Sequence, residues 1–162
     1  MRVMTEEEWK AFLTAEPPHT GKLATVRKDG RPHVAPIWFD LDDDGSIVFT
    51  TGAETLKGKS IRRDPRVCLC VDDERPPFSF VVVEGKVELS EDPDDLLLWA
   101  TRIGGRYMGQ ENAEAYGRRN AMACLGRSIA AVAGPRHRAR AMARRTHPLQ
   151  RRRTPHMVVG VL

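Results

Sequence analysis

Between Gly21 and Ser90 the chain is a succession of short apolar runs cut by turn-forming residues, and this punctuation constrains the fold more than any other feature. Gly21 to Arg27 is rich in β-formers, Lys28-Asp29-Gly30 supplies an Asp-Gly turn, and Pro32 to Leu41 resumes an extended pattern, so the segment predicts a hairpin. Asp42-Asp43-Asp44-Gly45 is a second turn, and Ser46 to Thr51 follows as a third strand. Arg66 to Asp72 and the long run Phe78 to Ser90 add two more, with Gly85 as a candidate bulge. Strands joined by connections this short pair antiparallel, because a parallel pair needs a crossover of a dozen residues or more.

Helical signals are confined to the flanks and to one interruption. Thr5-Glu6-Glu7-Glu8 has the spacing of a capping box, and Trp9, Phe12 and Leu13 give the following turns an apolar stripe. Thr55 to Arg63 reads as one or two helical turns, stopped at Asp64-Pro65. Asp92 with Pro93 opens another helix, Leu96, Leu97, Trp99, Ala100 and Ile103 form its apolar face, Gly104-Gly105 is expected to break it, and Glu111 to Arg119 adds a further helical segment. The pattern is mainly β with short helices, a small antiparallel barrel.

At 162 residues and 41% hydrophobic composition the chain has enough material for one core. The formal charge of +4 conceals a division. Residues 1–114 carry 15 Lys and Arg against all 22 carboxylates, whereas residues 115–162 carry 11 Arg and no acid. The body is therefore acidic, and the basic character belongs to the tail rather than to a nucleic-acid-binding core. We divide the chain into a domain over residues 1–134 and a basic tail over 135–162. Met122 to Leu162 is Arg- and Ala-rich with Pro135, Pro148 and Pro155 interspersed, and within it only Ile129 to Ala133 has strand character. Two accounts fit that composition: a natural basic tail that contacts nucleic acid or anionic lipid, or a change of reading frame near Asn120 in GC-rich coding sequence. No run approaches a membrane-spanning length and the first ten residues do not resemble a leader, so a cytoplasmic protein is expected.

The side chains that carry chemistry are few. Cys68 and Cys70 share one face of a strand and, with Cys124, read as packing thiols; a lone C-x-C is a poor zinc site, and no metal ion is expected. Asp42 to Asp44 fits a solvated turn and no EF-hand loop. His33 reads as an exposed strand histidine, Tyr107 and Tyr116 as helix-packing residues, and Lys57 and Lys59, from composition alone, as a solvated basic helix face.

The ordered set Leu23-Ala24-Thr25-Val26-Arg27, Asp29 to Val34, Ala35-Pro36-Ile37-Trp38-Phe39, Phe49-Thr50-Thr51, Thr55 to Ile61 and Arg63-Asp64-Pro65-Arg66-Val67 resembles the pyridoxamine 5'-phosphate oxidase-like split-barrel oxidoreductases. It is most similar to their F420-dependent branch, over roughly residues 5–120. The resemblance implies a split β-barrel of the FMN-binding split barrel type, dimerised so that coenzyme F420, or alternatively FMN, lies between two subunits. The cofactor ring is then expected near Pro36, Ile37, Trp38, Thr50 and Thr51, and its phosphate at Thr55, Lys57 and Lys59. Lysines, a threonine hydroxyl and an early helical turn are the donors a phosphate needs. Val81 and Val83 are candidates for the dimer interface. No catalytic side chain is implied, because the ring carries the redox chemistry. The expected activity is hydride transfer from reduced F420 to an unsaturated small molecule. The alternatives are an FMN oxidoreductase of the same fold, a carrier of F420, flavin or haem, and a nucleic-acid-binding protein acting through the basic tail.

Overall fold

The computed structural model describes residues 3–124, 128–133 and 157–161, with side chains through residue 121. In chain order the elements are α1 (Glu6–Leu13), β1 (Gly21–Val26), β2 (Pro32–Ile37), β3 (Asp40–Leu41), β4 (Ile47–Gly52), α2 (Leu56–Arg63), β5 (Arg66–Asp73), β6 (Ser79–Ser90), α3 (Pro93–Met108), a 3-10 turn (Gln110–Asn112), α4 (Ala113–Cys124), β7 (Ser128–Ala133) and β8 (Met157–Val161).

The strands form an antiparallel path in the order β2-β1-β5-β6-β7-β4-β3, with β8 attached to β6 beside it. The long β6 joins two halves of the barrel. Its residues 79–86 pair with β5, and Val87–Ser90 pair with β7. Gly85 lies at this handover, yet the β5–β6 register runs through it without an extra residue, Val67 opposite Gly85 and Cys68 opposite Glu84. In place of the expected bulge there is a change of partner strand with the ladder unbroken. The run from Pro32 to Leu41 is likewise not one strand. It stops at Ile37 and resumes at Asp40, because β2 pairs with β1 in one half and β3 with β4 in the other.

The barrel interior is filled by alternate residues: Leu23, Ile37, Phe39, Ile47, Phe49, Leu69, Val71, Val81 and Val83 are all buried, with Trp9 and Leu13 of α1 closing one end. Each such aliphatic or aromatic side chain contributes about 1.5–3 kcal/mol by leaving water. Val81 and Val83 are thus core residues. Strand alternation turns Phe80 and Val82 outward instead, so the interface assignment fell on the wrong face.

Local sequence accounts for the ends of the elements. Thr5 Oγ1 accepts from the Glu8 N–H and Glu8 Oε2 from the Thr5 N–H at 2.7 Å, completing the capping box. Asp92 Oδ1 accepts from the N–H of Asp94 at 2.8 Å, with Pro93 in the first turn. Three Asp-x-Arg segments make the same brace at a turn: Arg31 Nε to Asp29 at 2.9 Å, Arg66 Nε to Asp64 at 2.9 Å, and Arg75 Nε to Asp73 at 3.1 Å. In each, the arginine N–H also donates to the same aspartate.

Gly104 and Gly105 do not end α3, which runs on to Met108. A methyl group at Gly104 would lie 2.6 Å from the Tyr116 ring, so glycine is needed there for α4 to pack closely on α3. Helix propensity alone costs about 1 kcal/mol per glycine, and close packing offsets it. The second difference concerns the tail. Met157–Val161 pairs with Ser79–Val83 as β8, a strand that composition did not suggest. The edge of β6 supplies a template that recruits a β-branched segment whatever its flanking charge. Residues 134–156, with Arg151 to Arg153 and most of the proposed tail, lie outside the described residues.

Candidate functional site

The barrel path has two ends, β1–β2 and β4–β3, and α2 packs against both β1 and β4. It therefore sits across the split. Its placement depends on Gly58, where a Cβ would lie 2.3 Å from the Gly52 carbonyl oxygen and 2.9 Å from that of Ala53. Ile61 anchors the same helix in the core. Thr55 caps it: its hydroxyl donates to the Gly52 carbonyl at 2.6 Å, accepts from the Gly58 N–H at 3.0 Å, and lies 3.3 Å from the buried Thr51 hydroxyl.

The electrostatics of this helix start differ from those of the other capped helices. α1 and α3 open on Glu6, Glu7 and Glu8 and on Asp94 and Asp95, which complement the positive end of the helix dipole. α2 has no acid in its first turn and carries Lys57 there. Lys57 is half-buried, has no ion-pair or hydrogen-bond partner among the described residues, and burial pushes its ammonium pKa down. The first N–H groups of any helix, here at Leu56 and Lys57, lack an intrahelical acceptor. A half-buried lysine and free backbone donors at a positive helix end form an arrangement that an anion would stabilise.

The residues expected in the site separate into those that meet and those otherwise engaged. Thr51, Thr55 and Lys57 gather at the start of α2. Lys59 points to Glu54, Nζ to Oε2 3.1 Å, and both are exposed. Thr50 is half-buried on β4, with its side chain on the opposite face to that of Thr51. Pro36 is exposed on β2, whereas the Ile37 side chain is in the core. β2 is the last strand of its end of the path, so its outer edge is open among the described strands. Trp38 is stacked on Tyr107, ring centroids 4.9 Å apart and 4° from parallel, and tilted against Tyr116 at 5.5 Å. Tyr107 donates to the His19 carbonyl at 2.7 Å, and burial raises its phenol pKa. These tyrosines are packing residues, as expected, and they hold Trp38 in place.

His33 is half-exposed, with Nδ1 3.4 Å from the Thr25 hydroxyl. Asp42 and Asp44 accept from the N–H groups of Asp43 and Ser46, both at 2.8 Å, and serve their turn. Cys68 and Cys70 are free thiols whose pKa burial raises, consistent with packing; Cys124 is described in its backbone only.

The sequence reading predicted the β1–β2 hairpin but gave the side chains of its turn no role. Arg27, Lys28, Asp29 and Arg31 line, with Leu56 of α2, an open hollow of about 570 Å³. The signal was present in the spacing of three cations around one Asp-Gly turn, but it acquires meaning only once α2 is seen beside it.

Residues 5–133 match the family described as pyridoxamine 5'-phosphate oxidase. The chain belongs to that family. A pyridoxine/pyridoxamine 5'-phosphate oxidase of Ehrlichia ruminantium is 36% identical over 83 residues, 51% of this chain and 42% of the relative. The chain thus matches only about two-fifths of the length of such curated relatives. Among solved structures, a conserved hypothetical protein of Mycobacterium tuberculosis superposes with a TM-score of 0.68 at 28% identity, covering 83% of this chain and 82% of the other. A protein described as an F420 reductase superposes with a TM-score of 0.55 at 27% identity, covering 76% and 90%. With the strand path above, these matches establish the split-barrel fold. Among the described residues no helix is long and apolar enough to cross a membrane.

Proposed function

We propose that this protein is a homodimeric oxidoreductase that uses coenzyme F420, transferring hydride from the reduced cofactor to an unsaturated small molecule. The observation that carries the reading is Lys57, a half-buried ammonium without a partner among the described residues, at a helix start that lacks the acids found on α1 and α3. That site fits a phosphate, which F420 and FMN share. The Thr55 hydroxyl hydrogen is held by the Gly52 carbonyl, so Thr55 and the buried Thr51 would shape the cradle, and the N–H groups of Leu56 and Lys57 would supply its backbone donors. Lys59, already paired with Glu54, is a secondary contributor.

A bound deazaflavin or flavin ring supplies the redox chemistry. The chain's part is placement and exclusion of water. The open edge of β2 at Pro36 and Ile37 offers backbone groups to the polar rim of a ring, and Trp38, immobilised by Tyr107, sets a rigid wall beside it. Thr50 completes the proposed contact set from β4. F420 is preferred over FMN because an F420 reductase is among the similar structures at 27% identity. FMN remains the second reading, favoured by the curated oxidase relatives.

Shape and surface support a dimer. A barrel this small has too little concavity to enclose a three-ring cofactor, whereas a groove at a twofold axis does. The outward face of β2-β1-β5-β6 places Val34, Ala24 and Cys68 in one row and Pro36, Lys22, Cys70 and Val82 in the next, and Val34 is 61% exposed. This face replaces Val81 and Val83 as the candidate interface.

The test is absorption and fluorescence titration of the full chain with F420 and, separately, FMN, with mass measured by light scattering. Saturable F420 binding to a dimer supports the reading. Saturable FMN binding alone moves it to the flavin alternative, and cofactor binding by a monomer refutes the shared groove.

A further inference from the structure

We infer that Arg106 and Tyr107, neighbours on α3, are positioning residues: they clasp the Phe39 peptide where the chain crosses between the two halves of the barrel, and so set the plane of Trp38. The inference deepens the cofactor reading and rests on it for what Trp38 faces. β2 ends at Ile37 and β3 begins at Asp40, so Trp38 and Phe39 pair with no strand among the described residues. Phe39 is fully buried, and a peptide withdrawn from water must find its hydrogen bonds elsewhere. α3 supplies both. The Phe39 N–H donates to the Tyr107 hydroxyl at 3.4 Å, and Arg106 Nη1 donates to the Phe39 carbonyl at 3.0 Å.

The same two side chains reach past the crossing. Tyr107 gives its hydroxyl hydrogen to the His19 carbonyl at 2.7 Å, which leaves its oxygen lone pairs for the Phe39 N–H. Arg106 Nη2 donates to the carbonyl of Leu13, the last residue of α1. Two consecutive residues therefore tie α1, the approach to β1 and the crossing to one helix. The Arg106 side chain is only 7% exposed, with Asp40 Oδ1 at 3.6 Å and the Phe39 and Tyr107 ring centroids at 5.1 and 5.5 Å. Asp40 is shared with Arg102, Nη2 to Oδ2 3.1 Å. A buried ion pair adds little net stability over apolar side chains of similar volume, so attaching α3 to the barrel does not by itself call for an arginine here. Its planar fork of donors fixes where the Leu13 and Phe39 carbonyls lie. Tyr107 carries that position onward: its ring is 4.9 Å from that of Trp38 and 4° from parallel, while Tyr116, admitted by Gly104, tilts against Trp38 at 5.5 Å. One residue thus holds Trp38 both by its ring and by the next peptide in the chain.

The experiment uses the full chain labelled with 5-fluorotryptophan, as the parent, Tyr107→Phe and Arg106→Lys. Fluorine NMR follows Trp9, Trp38 and Trp99 separately, Trp38→Phe identifies the Trp38 line, and urea melts confirm that each variant folds. Each protein is titrated with F420 and, separately, with FMN. In the parent the Trp38 line should shift on saturation with the cofactor that binds. Tyr107→Phe keeps the stacked ring and loses only the two backbone bonds. It should displace the Trp38 line of the free protein, leave those of the buried Trp9 and Trp99 in place, and raise the dissociation constant roughly two- to tenfold. Arg106→Lys keeps the charge and loses the fork, and should move the Trp38 line and the dissociation constant in the same direction. A cofactor that binds without shifting the Trp38 line overturns the inference and leaves the cofactor reading standing. So does a Tyr107→Phe protein in which either the Trp38 line or the dissociation constant matches the parent's, or in which all three lines move together, the mark of general loosening. If neither cofactor binds the parent, the cofactor reading falls; a Trp38 line displaced alone by Tyr107→Phe then still supports the clasp, and an unmoved one removes both.

Discussion

Replacing Lys57 by methionine separates a binding lysine from a structural one, because the two roles predict opposite costs. In the free protein Lys57 is half-buried, unpaired among the described residues and placed at the positive end of α2, and burial lowers its pKa from 10.5. A lowered lysine pKa means that the unfolded chain holds the proton more tightly than the folded one. Stability then rises with pH between the lowered folded value and 10.5. Methionine keeps the aliphatic stem and removes the charge. The variant should therefore be as stable as the parent or more so, within about 1 kcal/mol, and should lose that alkaline rise. Cofactor binding should move the other way. One charge-assisted contact to a phosphate is worth about 1.5–3 kcal/mol, so the dissociation constant should rise roughly 10- to 150-fold. Urea melts across neutral to alkaline pH and a fluorescence titration with F420 and FMN read the two quantities independently. A variant that loses more than about 1 kcal/mol of stability and binds both cofactors like the parent would falsify the assignment of Lys57 to an anion.

Lys59→Ala, by contrast, removes an exposed ion pair with Glu54, and should change the dissociation constant by less than about fivefold, measured in the same titration. Gly58→Ala forces a methyl group to 2.3 Å from the Gly52 carbonyl oxygen. It should lower stability by about 1–3 kcal/mol in urea melts and weaken cofactor binding with it, since α2 must move. Asp64 is held at about 2 by Arg66, so its stabilising contribution is present above the ordinary value of 3.8 and is lost as pH falls toward 2. Arg66→Gln should return the Asp64 titration toward 3.8 in carboxylate NMR and flatten the acid limb of stability in that window.

Much of the fold was legible because its signals are local. The Thr5 to Glu8 box, Asp92 with Pro93, the Asp-Gly turns and the alternating strands each depend on residues within a few positions, and the structure reproduces them. The family resemblance added the split barrel, and the match over residues 5–133 supports it. What failed was whatever depends on a distant partner. Gly104 and Gly105 read as a helix break because the sequence does not reveal Tyr116 pressed against them. Val81 and Val83 read as surface because alternation specifies two faces but not which one is inside. β8 was invisible because its strand character comes from the edge of β6, more than seventy residues earlier.

The candidate site shows the same division. The sequence by itself determined the donor types at Thr51, Thr55 and Lys57 and the capped helix that carries them, since a cap and its first turn are set by five neighbouring residues. Only the tertiary structure decided which of those donors are available. It paired Lys59 with Glu54, stacked Trp38 on Tyr107, turned Ile37 into the core and left the Lys57 ammonium and the Arg27 Nε without a hydrogen-bond partner among the described residues. Whether a charge is free depends on what the folded chain brings within about 4 Å of it. That distance is fixed by packing between segments far apart in sequence.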